Sequence, residues 1–462
     1  MITRLQDFSR PYFIGIAGTG MSAIAQYLKG IGMHVAGSDR QFNTGDGQAV
    51  RFQLEKEGIL CFPQDGSGLD HTVDLVVVST AIESTVPEVK IAQERGIPII
   101  HRALLLAIIA ASKKTIAVAG TSGKSTTAAM LFDILEQAGF DPSIISGAGL
   151  TRIIQQGKLG NAVVGKGEWL VIEADESDGS IVQYHPEIGL LLNIDKDHDE
   201  VNTLVGLFKQ FRAQSKKFIV NQTHPLAATL SVDGAKDFKV EQTCEETVDV
   251  GYIAKGFSQR GLHIQFEING EQFALEQVGK HNMENALAAA TVAHQIGVPL
   301  ATAAIALKKY QGIYRRHQIL GQKNGVWVID DYAHNPAKCA AAITACQPIA
   351  SKVVAWFQPH GYKPTRFLRN DFVQAIAASL RSQDEIWMSE IYYAGGTAVK
   401  DISASDLVAD LKTLGVKANF IEDRNLFLSA VRESLQHDCV LLLMGARDPS
   451  LEQFAKELYD QL

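Results

Sequence analysis

Apolar residues along this chain come in short runs, and most runs are followed by a glycine-bearing turn and then by a stretch with helical spacing. Tyr12-Phe13-Ile14-Gly15-Ile16 reads as a strand; it passes into Gly15-Ile16-Ala17-Gly18-Thr19-Gly20-Met21 and a helix ending near Lys29-Gly30. A second strand, Met33 to Asp39, ends in an acid at the distance expected of a Rossmann-type βαβ unit. Asp74 to Thr80 and Ile97 to Ile100 predict further buried strands. Near Ala111-Ser112-Lys113-Lys114 the pattern restarts with a strand, Thr115 to Ala119, a second glycine loop and a helix reaching residue 138. Strands at Trp169 to Ile172 and Ile188 to Asn193 follow.

Residues 233 to 277 follow a different period. Gly261 to Ile268 alternates and meets Asn269-Gly270, which predicts a hairpin. Helices return at Met283 to Ile296 and Leu300 to Tyr310. A third unit starts around Ile313-Tyr314. Its opening strand is expected at Val326 to Asp330, and later ones at Lys352 to Phe357, Glu385 to Ser389, Ala418 to Ile421 and Cys439 to Met444. The expected class is α/β, with three tandem domains at residues 1–111, 112–312 and 313–462. The first and last are expected to be Rossmann-like, and the central one, with its strand, glycine loop and helix, P-loop-type.

Composition narrows the function classes only modestly. The chain has 462 residues and a net charge of −8, with 46% hydrophobic and 20% charged positions, which removes disordered and low-complexity classes. No long Lys/Arg block is present, so a nucleic-acid-coating role is not expected. The longest strongly apolar stretch, Ala103 to Ala111, falls short of the ~20 residues that span a bilayer, and Met1 to Arg10 lacks the apolar core of a signal peptide. A cytoplasmic location without membrane partners is therefore expected. The cysteines Cys61, Cys244, Cys339, Cys346 and Cys439 are scattered without a CxxC pair, so neither structural zinc nor a disulfide framework is expected.

The strongest chemical signal is Gly120-Thr121-Ser122-Gly123-Lys124-Ser125-Thr126-Thr127, set between a strand and a helix. Backbone N–H groups of such a loop wrap phosphate oxygens, Lys124 neutralises β/γ charge and Ser125 ligates Mg²⁺, so ATP is the expected ligand. The loop is a shortened variant, with Val118 where the usual spacing has its first glycine. The strand Trp169 to Ile172 runs into Glu173-Ala174-Asp175-Glu176-Ser177-Asp178, an acidic cluster that is costly without a compensating cation. At the carboxyl end of that strand, Glu173 is placed beside the phosphate loop. Asn193-Ile194-Asp195-Lys196-Asp197-His198-Asp199 puts an imidazole among carboxylates, as a Mg²⁺-site ligand or a surface cluster. Asn282 and Asn285 share a face at the start of a helix, where they either read an adenine edge or cap the helix. Arg315-Arg316 precedes Asp330-Asp331-Tyr332-Ala333-His334, which suits phosphoryl stabilisation and ribose binding or else a surface ion pair. The first glycine loop lacks the usual glycine spacing for NAD.

Taken in order along nearly the whole chain, these motifs resemble the Mur ligases, the ATP-dependent amide-forming ligases of peptidoglycan precursor synthesis. The branch that joins L-alanine to UDP-N-acetylmuramic acid is the most similar, through Gly37-Ser38-Asp39, Ser79-Thr80-Ala81-Ile82, His281-Asn282 and Phe357-Gln358-Pro359-His360 as well as the motifs above. The resemblance implies a cytoplasmic enzyme in which a substrate carboxylate attacks ATP to give an acyl phosphate, and an amine then displaces phosphate. It implies catalytic roles for Lys124, Glu173, His198 and Arg316, with Mg²⁺ on Ser125, Glu173 and His198. ATP would lie on Gly120, Thr121, Gly123, Lys124, Ser125, Thr126, Asn282, Asn285, Arg316 and Asp331. The nucleotide sugar would meet Gly18, Thr19, Gly20, Met21, Ser22, Asp39, Ser79 and Thr80, and the incoming amino acid His360, Lys363 and Arg366. The three domains would thus bind UDP-sugar, ATP with Mg²⁺, and acceptor.

Four departures stand out. Ser122 replaces a usual His or Asn; Asp199 and then Glu200-Val201 follow His198 where an acid is expected two places on; Lys209, Lys216 and Lys217 match no carbamylated lysine; and Gly361 and Lys363 stand where arginines are expected. They leave two alternatives: a ligase that attaches a peptide in cell-wall recycling, and a catalytically divergent nucleotide-binding relative.

Overall fold

A computed structural model describes residues 2–45, 47–177, 179–195, 201–241, 250–393 and 399–462. It divides into two compact units: Met1–Lys255 with Ile268–Phe273 and Asn285–Ile313, and Gly256–Glu267 with Ala274–Glu284 and Tyr314–Leu462.

The first unit holds one parallel sheet and one that is parallel except at an edge. Five strands run in the order Leu60–Pro63, Ala36–Asp39, Pro11–Ile14, Leu75–Val78, Ile99–His101. Every neighbouring pair is parallel, so each crossover carries a helix or loop over the sheet face. Gly15, at φ +82°, turns the chain out of the first strand into the helix Thr19–Gly30.

The second sheet runs Lys217–Val220, Ile188–Leu191, Lys114–Ala119, Trp169–Ala174, Ser143–Ile145, Ala162–Val163. Its pairs are parallel except the last. Lys114–Ala119 therefore lies between Ile188–Leu191 and Trp169–Ala174, and the loops leaving all three strands meet at one carboxyl edge. That edge is where ligands bind in open α/β sheets. The apolar core is continuous through this unit, from Phe13, Ile24 and Leu28 to Ile172, Leu191 and Phe208.

The second unit is built on six strands in the order Gln318–Lys323, Val326–Asp331, Cys439–Gly445, Lys352–Gln358, Glu385–Ser389, Ala418–Ile421. The opening strand is Gln318–Lys323, antiparallel to Val326–Asp331, rather than the expected Val326 run. Glutamine, glycine and a lysine interrupt its apolar pattern. The central strand Cys439–Gly445 is apolar along its length, and Val326–Asp331 is apolar up to its two closing acids, because both faces are covered. A smaller sheet runs Phe238–Val240, Tyr252–Arg260, His263–Ile268, Glu271–Leu275. Asn269 and Gly270 both adopt positive φ at its hairpin, as a tight two-residue turn requires. Cys61, Cys339, Cys346 and Cys439 are buried free thiols, and Cys244 lies outside the described residues.

Candidate active site

In the first unit the phosphate loop leaves Lys114–Ala119 and enters the helix Lys124–Gln137. Gly120 and Gly123 sit at φ +136° and +86°, in the left-handed region. A Cβ at Gly123 would lie 2.5 Å from Asn285 Oδ1, so this position has no room for a side chain.

Asn193, just past the adjacent strand, braces the loop: its Oδ1 accepts from Thr121 Oγ1 at 2.9 Å and Ser122 N at 2.8 Å, and its Nδ2 donates to Ser122 O at 3.1 Å. The side chain of Asn285 reaches the following helix, where its Oδ1 accepts from Thr127 Oγ1 at 3.2 Å. Thr126 is half-buried on the first turn of that helix.

The acidic run after Trp169–Ala174 divides into two tasks. Glu173 accepts from Ser125 Oγ at 2.8 Å through one oxygen, and from Ser146 Oγ at 2.7 Å and Gly147 N at 2.5 Å through the other. Glu176 is 3% exposed and takes Lys124 Nζ at 2.8 Å, while the same ammonium donates to Gly120 O at 2.7 Å and stands 3.7 Å from Asp175. Burial alone would lower the Lys124 pKa, but Glu176, Asp175 and Glu173 outweigh it and hold the pKa above its ordinary value. Burial pushes the Glu176 carboxyl up, against the pull of Lys124.

The pairing of Ser125 with Glu173 is a hard-oxygen donor set of the kind Mg²⁺ uses when phosphate oxygens and water complete its shell. No cluster of three or more His, Cys, Asp or Glu able to hold a metal is found among the described residues. His198 lies outside them. Sequence reading overlooked His224, whose Nε2 lies 3.2 Å from Asp195 Oδ1. It also assigned no role to Asn193, Ser146 or Glu176; the signal it had was their place at or just after strand ends.

At the first glycine loop, Gly18, Thr19 and Gly20 form the entry to Thr19–Gly30, with Ser79 and Thr80 past Leu75–Val78 at the carboxyl edge of the same sheet. Three expected contacts are turned inward. Asp39 gives one oxygen to Ala17 N at 2.9 Å and the other to Gln41 N at 3.0 Å, so it braces the loop and caps the next helix. Met21 lies in the core. Ser22 is 2% exposed and joins a buried network in which Asn161 Nδ2 donates to Thr19 O at 2.8 Å and Ser22 Oγ at 2.9 Å, and Gln26 Nε2 donates to Asn161 Oδ1 at 2.7 Å.

In the second unit, Arg315, Arg316 and His317 precede Gln318–Lys323. Arg315 forks onto Asp330, at 2.9 and 3.3 Å, and donates to Gly445 O at 3.0 Å. Arg316 lies over the Tyr332 ring, 4.7 Å from its centroid. Asp331 is buried and already holds three donors: His317 N at 2.7 Å, His317 Nδ1 at 2.9 Å and Ala333 N at 2.7 Å. Its carboxylate braces the fold through these donors. Asn282 donates from Nδ2 to Val278 O at 2.8 Å, tying the first turn of its helix to the preceding segment.

His360 follows Lys352–Gln358, and its ring stands 5.6 Å from that of His334. Lys363 and Arg366 are exposed on the short helix Tyr362–Phe367, where Arg366 is paired with Asp401. Among the described residues, no helix is long and apolar enough to cross a membrane.

Comparison with known proteins matches this arrangement. Family models described as "Mur ligase family, catalytic domain", "Mur ligase middle domain" and "Mur ligase, glutamate ligase domain" match residues 10–114, 118–293 and 315–447. The chain is 33% identical to a UDP-N-acetylmuramate--L-alanine ligase of a Synechococcus species, covering 95% of this chain and 93% of that protein. It is 35% identical to the enzyme of that name from Thermosynechococcus vestitus, over the same shares of the two chains. Among solved structures, the UDP-N-acetylmuramate-alanine ligase MurC of Thermotoga maritima is similar at TM-score 0.78 and 25% identity, covering 98% of both chains. A murein peptide ligase of Psychrobacter arcticus shares the fold at TM-score 0.66 and 21% identity, again over 98% of both. With its phosphate loop, its acidic strand end and this match along almost its full length, the chain belongs to the Mur ligase family.

Proposed function

We propose that this chain joins L-alanine to the carboxylate of UDP-N-acetylmuramic acid, forming ADP and phosphate from ATP, as a cytoplasmic step of peptidoglycan precursor synthesis. The observation that carries the reading is the near full-length match to relatives bearing that name, in a chain whose phosphate loop holds Lys124 and Ser125 against its own partners.

In this reading the N–H groups of Gly120 to Ser125 and the start of Lys124–Gln137 bind the ATP phosphates. Lys124 exchanges Glu176 for the γ-phosphate, so the loop trades one buried anion for another. Ser125 and Glu173 hold Mg²⁺, with His198 as a further ligand by family resemblance. Held there, Mg²⁺ would supply charge neutralisation to the transferring phosphate. A muramyl carboxylate oxygen forms a bond to the γ-phosphorus as the bond to ADP breaks. The alanine amine then attacks the acyl carbon, and the tetrahedral intermediate expels phosphate as the amine loses its proton. Arg316 stabilises the transferring phosphoryl charge, and Asn285 lies against ATP. Gly18, Thr19 and Gly20 take the UDP diphosphate, with Ser79 and Thr80 nearby; His360 and Lys363 face the acceptor.

One observation favours a second acceptor class. Gly361 supplies no side chain and Arg366 is tied to Asp401, which leaves less cationic fork for a small amino acid's carboxylate than a pair of free arginines offers. Phosphate release with ATP, Mg²⁺ and UDP-N-acetylmuramic acid, measured against alanine, other amino acids and the tripeptide L-Ala-γ-D-Glu-meso-diaminopimelate, decides between them. Turnover highest with alanine supports the main reading, and turnover with the tripeptide alone replaces it.

A further inference from the structure

Arg316 is the middle residue of a segment pinned on both sides. Arg315 and His317 both adopt left-handed backbone, φ +53° and +46°, which residues with a Cβ rarely do. Each is held by its own buried carboxylate: Arg315 by Asp330, with side chains 10% and 5% exposed, and His317 by Asp331, 6% and 9% exposed. The two acids are consecutive at the end of Val326–Asp331, so the pinned segment is laid along the edge of the sheet. Tyr332 N closes the register by donating to Arg315 O at 2.8 Å, and Arg315 N donates to Gln318 Oε1 at 2.9 Å. Arg316 is half-buried between the pins and lies over the Tyr332 ring. Left-handed backbone concentrated at one charged side chain is the pattern of a preorganised functional group.

We propose that His317 is a positioning residue: its double hydrogen bond to Asp331, with Arg315 on Asp330, fixes Arg316 in the orientation it uses on the transferring phosphoryl group. This rests on the role given to Arg316 above.

Every element around His317 bears on its charge. The helix Lys280–Gln295 presents His281, with ring centroids 5.2 Å apart; the helix Pro336–Cys346 presents Cys346 and the Ala342 carbonyl, 3.4 Å from Nε2; and Cys339 faces Asp331. Burial would lower the His317 pKa, but Asp331 outweighs burial and raises it well above the ordinary value. Burial, with the neighbouring His317 charge, pushes His281 down to about 3. The strap is a neutralised pair, which is the state in which a buried carboxylate holds rather than repels.

The test uses His317→Phe, His317→Gln, Asp331→Asn, Arg316→Ala and the double variant His317→Phe/Arg316→Ala in the full chain. The expected result is a kcat at least tenfold lower for His317→Phe, a KM for UDP-N-acetylmuramic acid within twofold of the parent, and a double variant no slower than Arg316→Ala. Side-chain ¹⁵N spectra are expected to show His317 doubly protonated at pH 8 in the parent, and the Arg316 Nε–H signal sharp in the parent and averaged in His317→Phe. Should His317→Phe fail to fold, His317→Gln and Asp331→Asn carry the same comparison. A parental kcat in a folded variant, with the Arg316 signal unmoved, overturns the proposal. If the parent shows no nucleotide-sugar-dependent turnover, the reading of Arg316 fails, and with it the proposal; an Arg316 signal already averaged in the parent overturns the proposal while leaving that reading intact.

Discussion

Single residues set the chemistry here through the partners they hold before any ligand arrives. Lys124 waits on Glu176, and a buried cation stripped of its anion is expensive. Glu176→Gln is expected to lower stability by about 1–3 kcal/mol in urea unfolding at pH 7, and Lys124→Ala to cut phosphate release by at least ~10²-fold. Asp133 gives a pH signature of the same kind. Burial raises its carboxyl from 3.8 to about 6, against the pull of Arg152 at 3.0 Å. A raised carboxyl contributes stability that is complete below the unfolded value and is lost as pH rises through the folded one. The parent should therefore lose on the order of 2 kcal/mol between pH 4 and pH 7 relative to Asp133→Asn. Equal slopes in urea titrations of the two proteins would contradict that assignment.

Elements explain which of these partners sequence reading could find. The phosphate loop was legible because a buried strand, two glycines, Gly-Lys-Ser and a helix are all local in sequence. Glu173 was legible because a strand end is a place. The partner of Lys124 was not, since Glu176 is 52 positions away and is one of four acids within six residues. Asp39 read as a ligand contact because its position after the second strand is the ribose position; only the packed loop shows both oxygens taken by backbone amides. The internal donors of Asp331 were likewise hidden from sequence, since His317 reaches it through the left-handed turn at 315–317. The strand Gln318–Lys323 escaped because its polar residues hide an edge position. Two element-level predictions follow. Gly123→Ala should abolish binding of a non-hydrolysable ATP analogue measured calorimetrically, since its Cβ meets Asn285. Asn161→Ala should cost about 1–3 kcal/mol by removing the buried hydrogen bonds that Asn161 makes with Gln26, Ser22 and the Thr19 carbonyl.

At the scale of the whole molecule, a chain with net charge −8 is proposed to work on two anionic nucleotides. Global charge does not select them. In the proposed reading, loop N–H groups and Lys124 supply positive field locally, the Ser125–Glu173 pair would hold the Mg²⁺ that adds to it, and a nearby acid, Glu176, braces Lys124. Near full-length similarity to alanine-adding ligases and the paired Lys124 and Ser125 together make one central claim, that ATP is split here to activate a muramyl carboxylate. Phosphate release from ATP and Mg²⁺, with and without UDP-N-acetylmuramic acid and with and without L-alanine, tests it most directly. The account predicts release only when both substrates are present, with ADP and the amide formed in equal amounts and the signal lost in Lys124→Ala. Release that ignores the nucleotide sugar, or survives the loss of Lys124, would contradict it.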